Sequence, residues 1–277
     1  MCKCIQVHEA AADADWRHNL YTNDQFLHAM LAHGRKICPL LSVPGVKNTL
    51  FKVDWLHAVD AGVGADFLGN EFDTLLTKLA GNRDDQCKAL WDEIQQYYEV
   101  HDEIKDRMKS FAYKNIKTSG DKAPKLRGTN AASVRGLIKF GHLAAEKFLD
   151  DSVPMEAAIR SAAYHLLMCY ECLSDESIFR PDALRDSSAK FALQYAALRD
   201  CAHDPAWRLK PKLHLFLHLC SQETRPNLYW TYRDEDFMGS VAHQSKMRGS
   251  WKRAKSFNIH ALELFAIQNP EPRMIAL

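Results

Sequence analysis

Apolar residues recur every three or four positions through most of the 277-residue chain, and a period of this kind is typical of packed helices. The clearest stripe consists of Cys87, Leu90, Trp91, Ile94, Tyr97 and Tyr98. Side chains at that spacing share one face of an α-helix, and that face needs a core to cover it. The sequence therefore predicts a mainly α-helical globular protein.

The same period predicts further helices over residues 56–80, 131–149, 154–174, 187–202 and 257–268. Gly81 and Asn82 mark an end for the first of these, and Ser187 or Ser188 is a candidate N-cap for the fourth. Two runs rich in aromatic and β-branched residues, 49–53 and 228–232, are typical of strands instead. A small β component is therefore expected beside the helices, and the polar segment 115–130 is expected to be a mobile loop.

Composition restricts the compartment and the partners of the chain. No apolar run approaches the roughly 20 residues of a membrane span, and residues 1–15 lack the layout of a signal peptide. The eight cysteines are consistent with free thiols. We therefore expect a nuclear or cytoplasmic protein that is neither secreted nor membrane-bound. The net charge is +1, so contact with nucleic acid would have to come from a local basic patch.

Two acidic residues are candidates for a metal site. Asp54 follows the strand-like run 49–53 and precedes a helix, and Glu235 opens a helix after the second strand-like run. Carboxylates in such places suit two-metal phosphoryl transfer, in which cations about 4 Å apart activate water. Both acids are also well placed to cap helix N-termini, and the residue types alone favour that role.

Three groups of His and Cys have spacings found in metal sites: His214 with His218, His165 with Cys169 and Cys172, and Cys2 with Cys4 and His8. The first pair shares a helical face but has no Glu between its members, as a zinc-protease helix would need. The second group lies on an apolar stripe, and the third has no fourth ligand at a familiar spacing. Packing is the favoured role of these groups, and zinc is not expected.

A basic segment near the C-terminus, residues 246–255, is a candidate DNA contact. Its relevant residues are Lys246, Arg248, Trp251, Lys252, Arg253 and Lys255, and no acid occurs from Ala242 to Phe257. Basic side chains can contact a phosphate backbone while an indole stacks on a base. A solvated basic loop is the alternative. The glycine-rich nucleotide-binding motifs and the GxSxG motif are absent from the sequence, so nucleotide binding and serine hydrolysis are not expected.

Several of these segments resemble one family of proteins. The stretch from Ser42 to Asn70 resembles the region around the second catalytic Asp of DDE-type DNA transposases of the CACTA and Plavaka type. KPKLHLFLHL and LYWTYRDEDFMGSVA are similar to the C-terminal part of those enzymes. The strings WLHAVD, KAPKLR, WRLKPKLHL and WTYRDEDF also resemble transposon-like proteins of certain unicellular algae, and that similarity covers most of residues 16–268.

The resemblance implies a partial RNase H-like α/β core, built from residues 49–81 and 209–277 and interrupted by a helical insertion over 82–208. Residues 1–48 would form a separate N-terminal helical and loop region. Asp54 and Glu235 would bind Mg²⁺ as catalytic residues, with His57, His214 and His218 in support, and the substrate would be DNA.

The first catalytic Asp of the family has no counterpart in the sequence. Before Asp54 the chain offers only Asp13, Asp15 and Asp24, and none follows a strand-like run. We therefore expect a truncated or degenerate relative that is inactive alone, and that associates with a second copy or with the missing N-terminal transposase portion. The alternative is a non-catalytic helical module for protein interaction.

Overall fold

The computed structural model describes residues 21–116, 123–174, 178–201, 206–232, 235–236 and 238–239. Its α-helices before Trp230 are α1 (Asn23–Ala32), α2 (Ala65–Leu76), α3 (Arg83–Val100), α4 (Ala131–Phe148), α5 (Pro154–Glu171), α6 (Pro181–Cys201) and α7 (Pro211–Cys220). A π-helix, Leu56–Gly64, runs directly into α2, and short 3₁₀ turns lie at Pro39–Ser42, Asn48–Leu50, Tyr113–Asn115 and Pro226–Tyr229. The prediction of a mainly helical protein is confirmed.

Local sequence signals account for several helix boundaries. The Asn82 side chain accepts hydrogen bonds from the backbone of Asp84 and Asp85 at the start of α3, directly after Gly81 with its φ of +91°. The start predicted at Ser187 or Ser188 is wrong, because α6 begins at Pro181 and both serines lie buried inside it. Proline suits a first turn, where its missing N–H leaves no hydrogen bond unmade.

The central element is the π-helix together with α2. Ten of the twelve residues of α2 are buried, because α3 and α4 pack against it and the π-helix precedes it. Helix α5 packs between α4 and α6, and α7 packs on α6 and the π-helix. The polar residues of α2, namely Asp66, Asn70 and Glu71, are therefore enclosed with the apolar ones.

Both strand predictions are wrong. Residues 48–50 form a 3₁₀ turn, and residues 226–229 form another, followed by Trp230 in extended conformation. No strand occurs anywhere in the described ranges, so these segments have no ladder in which to pair their backbone groups. Of their apolar side chains, Val53 and Trp230 pack against the helical core, whereas Leu50, Phe51 and Leu228 are exposed. The Arg135 guanidinium lies 4.4 Å from the centre of a Trp230 ring. An RNase H-like α/β core is therefore not supported.

The described residues fall into two compact units, one ending at Trp230 and the other beginning at Thr231. In the second unit Tyr232, Glu235, Asp236, Met238 and Gly239 are helical. The division into residues 1–48, 49–81 with 209–277, and 82–208 stays a prediction. None of the helices that the structure describes is both long and apolar enough to cross a membrane.

Candidate functional site

Asp54 lies at the start of the π-helix and organises that end. Its carboxylate accepts hydrogen bonds from the backbone N–H of Leu56 at 3.3 Å and of His57 at 3.0 Å. The same carboxylate lies 2.5 Å from Nδ1 of His57, whose side chain is 56% exposed. Asp54 therefore has the capping role that its residue type favours, and it also orients the imidazole of His57.

The predicted Mg²⁺ site is not assembled by the first unit. Both oxygens of Asp54 already accept hydrogen bonds, and a metal would compete with these bonds. Glu235 belongs to the second unit, where it is exposed and its backbone N–H donates to the Thr231 carbonyl at 2.9 Å. No cluster of three or more His, Cys, Asp and Glu fit to hold a metal ion occurs in the described part of the chain. Joint binding of Mg²⁺ by Asp54 and Glu235 stays a prediction.

The two supporting histidines of α7 do lie together. Their Nε2 atoms are 3.0 Å apart, and their rings meet edge to face with centres 4.6 Å apart. A hydrogen bond between two imidazoles needs one nitrogen as donor and the other as acceptor, so His214 and His218 do not both carry a charge in this arrangement. His214 is buried and His218 half-buried, which fits a packed helix face.

The cysteines of α5 and α7 are core residues. Burial raises the pKa of the Cys169 thiol well above its usual range, and a hydrogen bond with Cys220 raises it further. Burial also raises the pKa of Cys172. The burial of these thiols fits the packing role that the sequence favours. The predicted DNA contacts at residues 246–255 and the group of Cys2, Cys4 and His8 lie outside the described residues.

The structure brings together basic residues that are far apart in the chain. They are Lys125 and Arg127 from the segment after Ala123, and Arg208, Lys210 and Lys212 from the segment that leads into α7; we call these five the basic cluster. The ammonium of Lys210 donates to Oδ1 of Asp66 at 2.8 Å, and that of Lys125 lies 3.7 Å from the same oxygen. Arg208, Lys210 and Lys212 line a small depression together with Asp66.

Asn70 holds the two basic segments in place. Its side-chain amide donates to the Pro124 carbonyl at 3.1 Å, and its side-chain oxygen accepts from the Trp207 backbone N–H at 2.8 Å. Trp207 is buried and has a φ of +54°, a strained value for a bulky residue. Asn70 therefore couples the segment around Lys125 to the segment around Lys210 through the central helix.

The charges of the cluster act on one another. Burial lowers the pKa of the Lys125 ammonium, Asp66 raises it in part, and repulsion from Lys212, Lys210 and Arg127 lowers it further. One buried carboxylate therefore faces several cations that repel each other. A bound anion would relieve that repulsion.

The sequence carried a partial signal for this cluster. KAPKLR and WRLKPK are both basic strings, but the first fell in a segment expected to be a mobile loop. Residues 123–127 are packed instead: Ala123 and Leu126 are buried, and the Leu126 N–H donates to the Ala65 carbonyl at 2.8 Å. The proximity of the two strings depends on tertiary packing, which their spacing in the chain does not reveal.

Replacing Asn70 with alanine is expected to destabilise the fold by about 2 kcal/mol, because the Trp207 N–H and the Pro124 carbonyl lose their partner in a buried place. Urea unfolding followed by circular dichroism measures this loss. Gln95→Ala, which removes an exposed amide from α3, is the control and should change the stability by less than about 0.5 kcal/mol. Equal stabilities for the two variants would contradict the linking role of Asn70.

Glu71 is a second unusual group on α2. Its side chain is fully buried, and neither carboxyl oxygen has a hydrogen-bond partner. Three other buried acids are partnered: Tyr170 donates to Asp60, Lys210 to Asp66, and Lys78 to Glu156. Burial raises the pKa of Glu71 to about 8, so this carboxyl is protonated at neutral pH.

Comparison with known proteins adds no relative to this picture. No family model matches the chain, and no curated protein or solved structure is significantly similar to it. The candidate site therefore rests on the geometry of the described residues.

Proposed function

We propose that the protein is derived from a DDE-type transposase and binds DNA without cutting it on its own. The observation that supports this proposal is the packing of three segments that carry the resemblance to transposon proteins. WLHAVD lies at the start of the π-helix, and the described residues of KAPKLR and those of WRLKPKLHL pack beside it and beside α2. These segments hold a half-buried carboxylate, the histidines His57 and His214, and a group of cations in one unit.

Specific contacts join the three segments. The Lys212 ammonium donates to the His57 carbonyl at 2.7 Å, and the Lys125 ammonium donates to the Ala61 carbonyl at 2.8 Å. Both acceptors are backbone carbonyls of the π-helix. The cations therefore lie along the π-helix, at His57 and Ala61, and at Asp66 beyond its end. In an intact relative, the counterpart of Asp54 at the start of this helix would hold the metal.

The described helices would then correspond to the helical part of a DDE-type transposase and not to an RNase H-like core. Asp54 is engaged in capping, and in the sequence none of Asp13, Asp15 and Asp24 follows a strand-like run. In an intact relative, Mg²⁺ held by the counterparts of Asp54 and Glu235 would activate water for strand cleavage.

DNA binding with a steep salt dependence is the expected result for the full chain. The logarithm of the binding constant should fall linearly with the logarithm of salt concentration, with a slope steeper than about −3. Fluorescence anisotropy of a labelled duplex between about 50 and about 200 mM salt measures that slope. Absence of binding at the low end of this range would contradict the proposal. Nicking of the duplex in the presence of Mg²⁺, lost in Asp54→Asn, would show that the chain is active alone.

One observation favours the alternative of a helical module for protein interaction. A groove between α3 and α4 has the buried rings of Tyr97 and Phe140 in its lining, with Val100 and Leu143 at the surface. Val100 is 78% exposed, which is unusual for an aliphatic side chain beside aromatic ones. If the protein does not bind DNA, this groove becomes the better guide to function.

A further inference from the structure

We propose that the basic cluster is a contact surface for the backbone phosphates of DNA. Its role rests on the proposed DNA-binding function, and its residues are other than the sequence-predicted contacts at residues 246–255. The cluster consists of five cations near the buried Asp66, namely Lys125, Arg127, Arg208, Lys210 and Lys212.

The three lysines of the cluster are held at fixed positions and can still donate further hydrogen bonds. Lys125 donates to the Ala61 carbonyl at 2.8 Å, Lys210 to Asp66 at 2.8 Å, and Lys212 to the His57 carbonyl at 2.7 Å. An ammonium group carries three N–H donors, so each lysine has capacity for a phosphate oxygen after making its internal bond. Side chains anchored in this way lose less conformational entropy when a ligand binds.

The start of α7 adds to the positive potential. Pro211 is its first residue, so Lys210 and Lys212 flank the N-terminus of a ten-residue helix. The first turn of a helix exposes N–H groups, and its dipole favours anions. Two acids reduce this positive potential. Asp66 accepts a hydrogen bond from Lys210. Asp54 is hydrogen-bonded to the His57 side chain, and the backbone carbonyl of His57 accepts from Lys212.

The shape of the surface favours a polyanion over a small phosphate. The depression beside Asp66 has a volume of only about 10 Å³, too little to enclose a phosphate, and the cations come from two segments and not from one enclosing loop. A small anion is held best where several donors converge in a closed pocket. A nucleic-acid backbone presents regularly spaced phosphates, which can meet cations spread over an open surface.

The test compares two double variants of the full chain that remove equal charge. Arg208→Gln with Lys212→Gln neutralises the cluster at two positions and leaves the Lys210–Asp66 pair intact. Lys88→Gln with Lys139→Gln removes two exposed cations from α3 and α4, outside the cluster. Duplex DNA binding is measured as a function of salt, and inorganic phosphate is titrated separately into the wild type.

We expect the cluster variant to bind DNA about 10- to 100-fold more weakly near 0.1 M salt, with a slope shallower by about 2. The control variant should keep the wild-type slope. If the cluster variant binds DNA as tightly as the wild type, the cluster is not a DNA contact. The proposed function is unaffected by that result. Failure of the wild type to bind DNA sinks the proposed function itself. Saturable binding of inorganic phosphate without any DNA binding would show a small-anion site and would also overturn the inference.

Discussion

Replacing Glu71 with glutamine is expected to abolish a pH dependence of folding that the wild type shows between about pH 5 and about pH 9. Burial raises the pKa of Glu71 to about 8, above the value near 4.5 of an exposed glutamate. Between these two values the folded protein holds a proton that the unfolded chain has released. The free energy of unfolding therefore falls as the pH rises through this window and levels off above about 8.

The size of this effect follows from the shift. A difference of one pKa unit corresponds to about 1.4 kcal/mol, so the wild type should lose about 4 kcal/mol relative to Glu71→Gln across the window. Urea unfolding of both proteins at several pH values measures their free energies of unfolding. The contributions of other titrating groups are the same in both proteins and cancel in the difference. Glu99→Gln, on the exposed side of α3, is the matched control and should run parallel to the wild type. Parallel curves for Glu71→Gln as well would mean that water or an unseen partner reaches this carboxyl.

The structure also explains why Glu71 can be buried so tightly. Gly141 of α4 lies against it, and a Cβ at that glycine would be 2.7 Å from Oε2 of Glu71. The close approach of α2 and α4 leaves no space in which the carboxyl could turn toward solvent. Protonation of Glu71 therefore stabilises this packing at a pH below about 8.

Replacing Gly69 with alanine is expected to cost at least about 3 kcal/mol of folding stability. The added Cβ would meet the backbone of Lys125 and would lie 2.5 Å from the backbone nitrogen of Leu126. Backbone atoms cannot rotate away as a flexible side chain can, so the segment 123–127 would have to leave α2. Thermal unfolding measures the loss, and weaker DNA binding should accompany it because Lys125 and Arg127 would move.

A second glycine provides the control for that change. Gly136 also lies inside a helix, but a Cβ there would meet the Ile104 side chain at 2.9 Å and not a backbone. The Ile104 side chain must shift at some cost, and the preference of a helix for alanine over glycine, up to about 1 kcal/mol, offsets that cost. Gly136→Ala should therefore change the stability by less than about 1 kcal/mol. If Gly69→Ala proves equally mild, the segment 123–127 is not held against α2 as the structure shows.

Local sequence determined most of the helices. The stripe from Cys87 to Tyr98 predicts α3, and Asn82 caps its start. A helix over residues 131–149 was predicted and Ala131–Phe148 is observed. These features depend on interactions between residues within a few helical turns of one another, so a short stretch of sequence is enough to predict them. The mainly helical fold class could therefore be predicted without knowledge of how the helices pack.

Tertiary structure decided the rest. The runs at 49–53 and 228–232 have strand-forming residues, but a strand needs a neighbouring strand to pair with, and the described residues contain none. Val53 and Trp230 pack against the helical core instead. Glu71 looks like a surface residue in the sequence; its burial follows only because α3, α4 and the π-helix surround α2. The basic cluster likewise unites Lys125 with Lys210 through contacts to α2. Sequence period fixes which face of a helix is apolar, whereas the position of distant segments depends on how those faces pack.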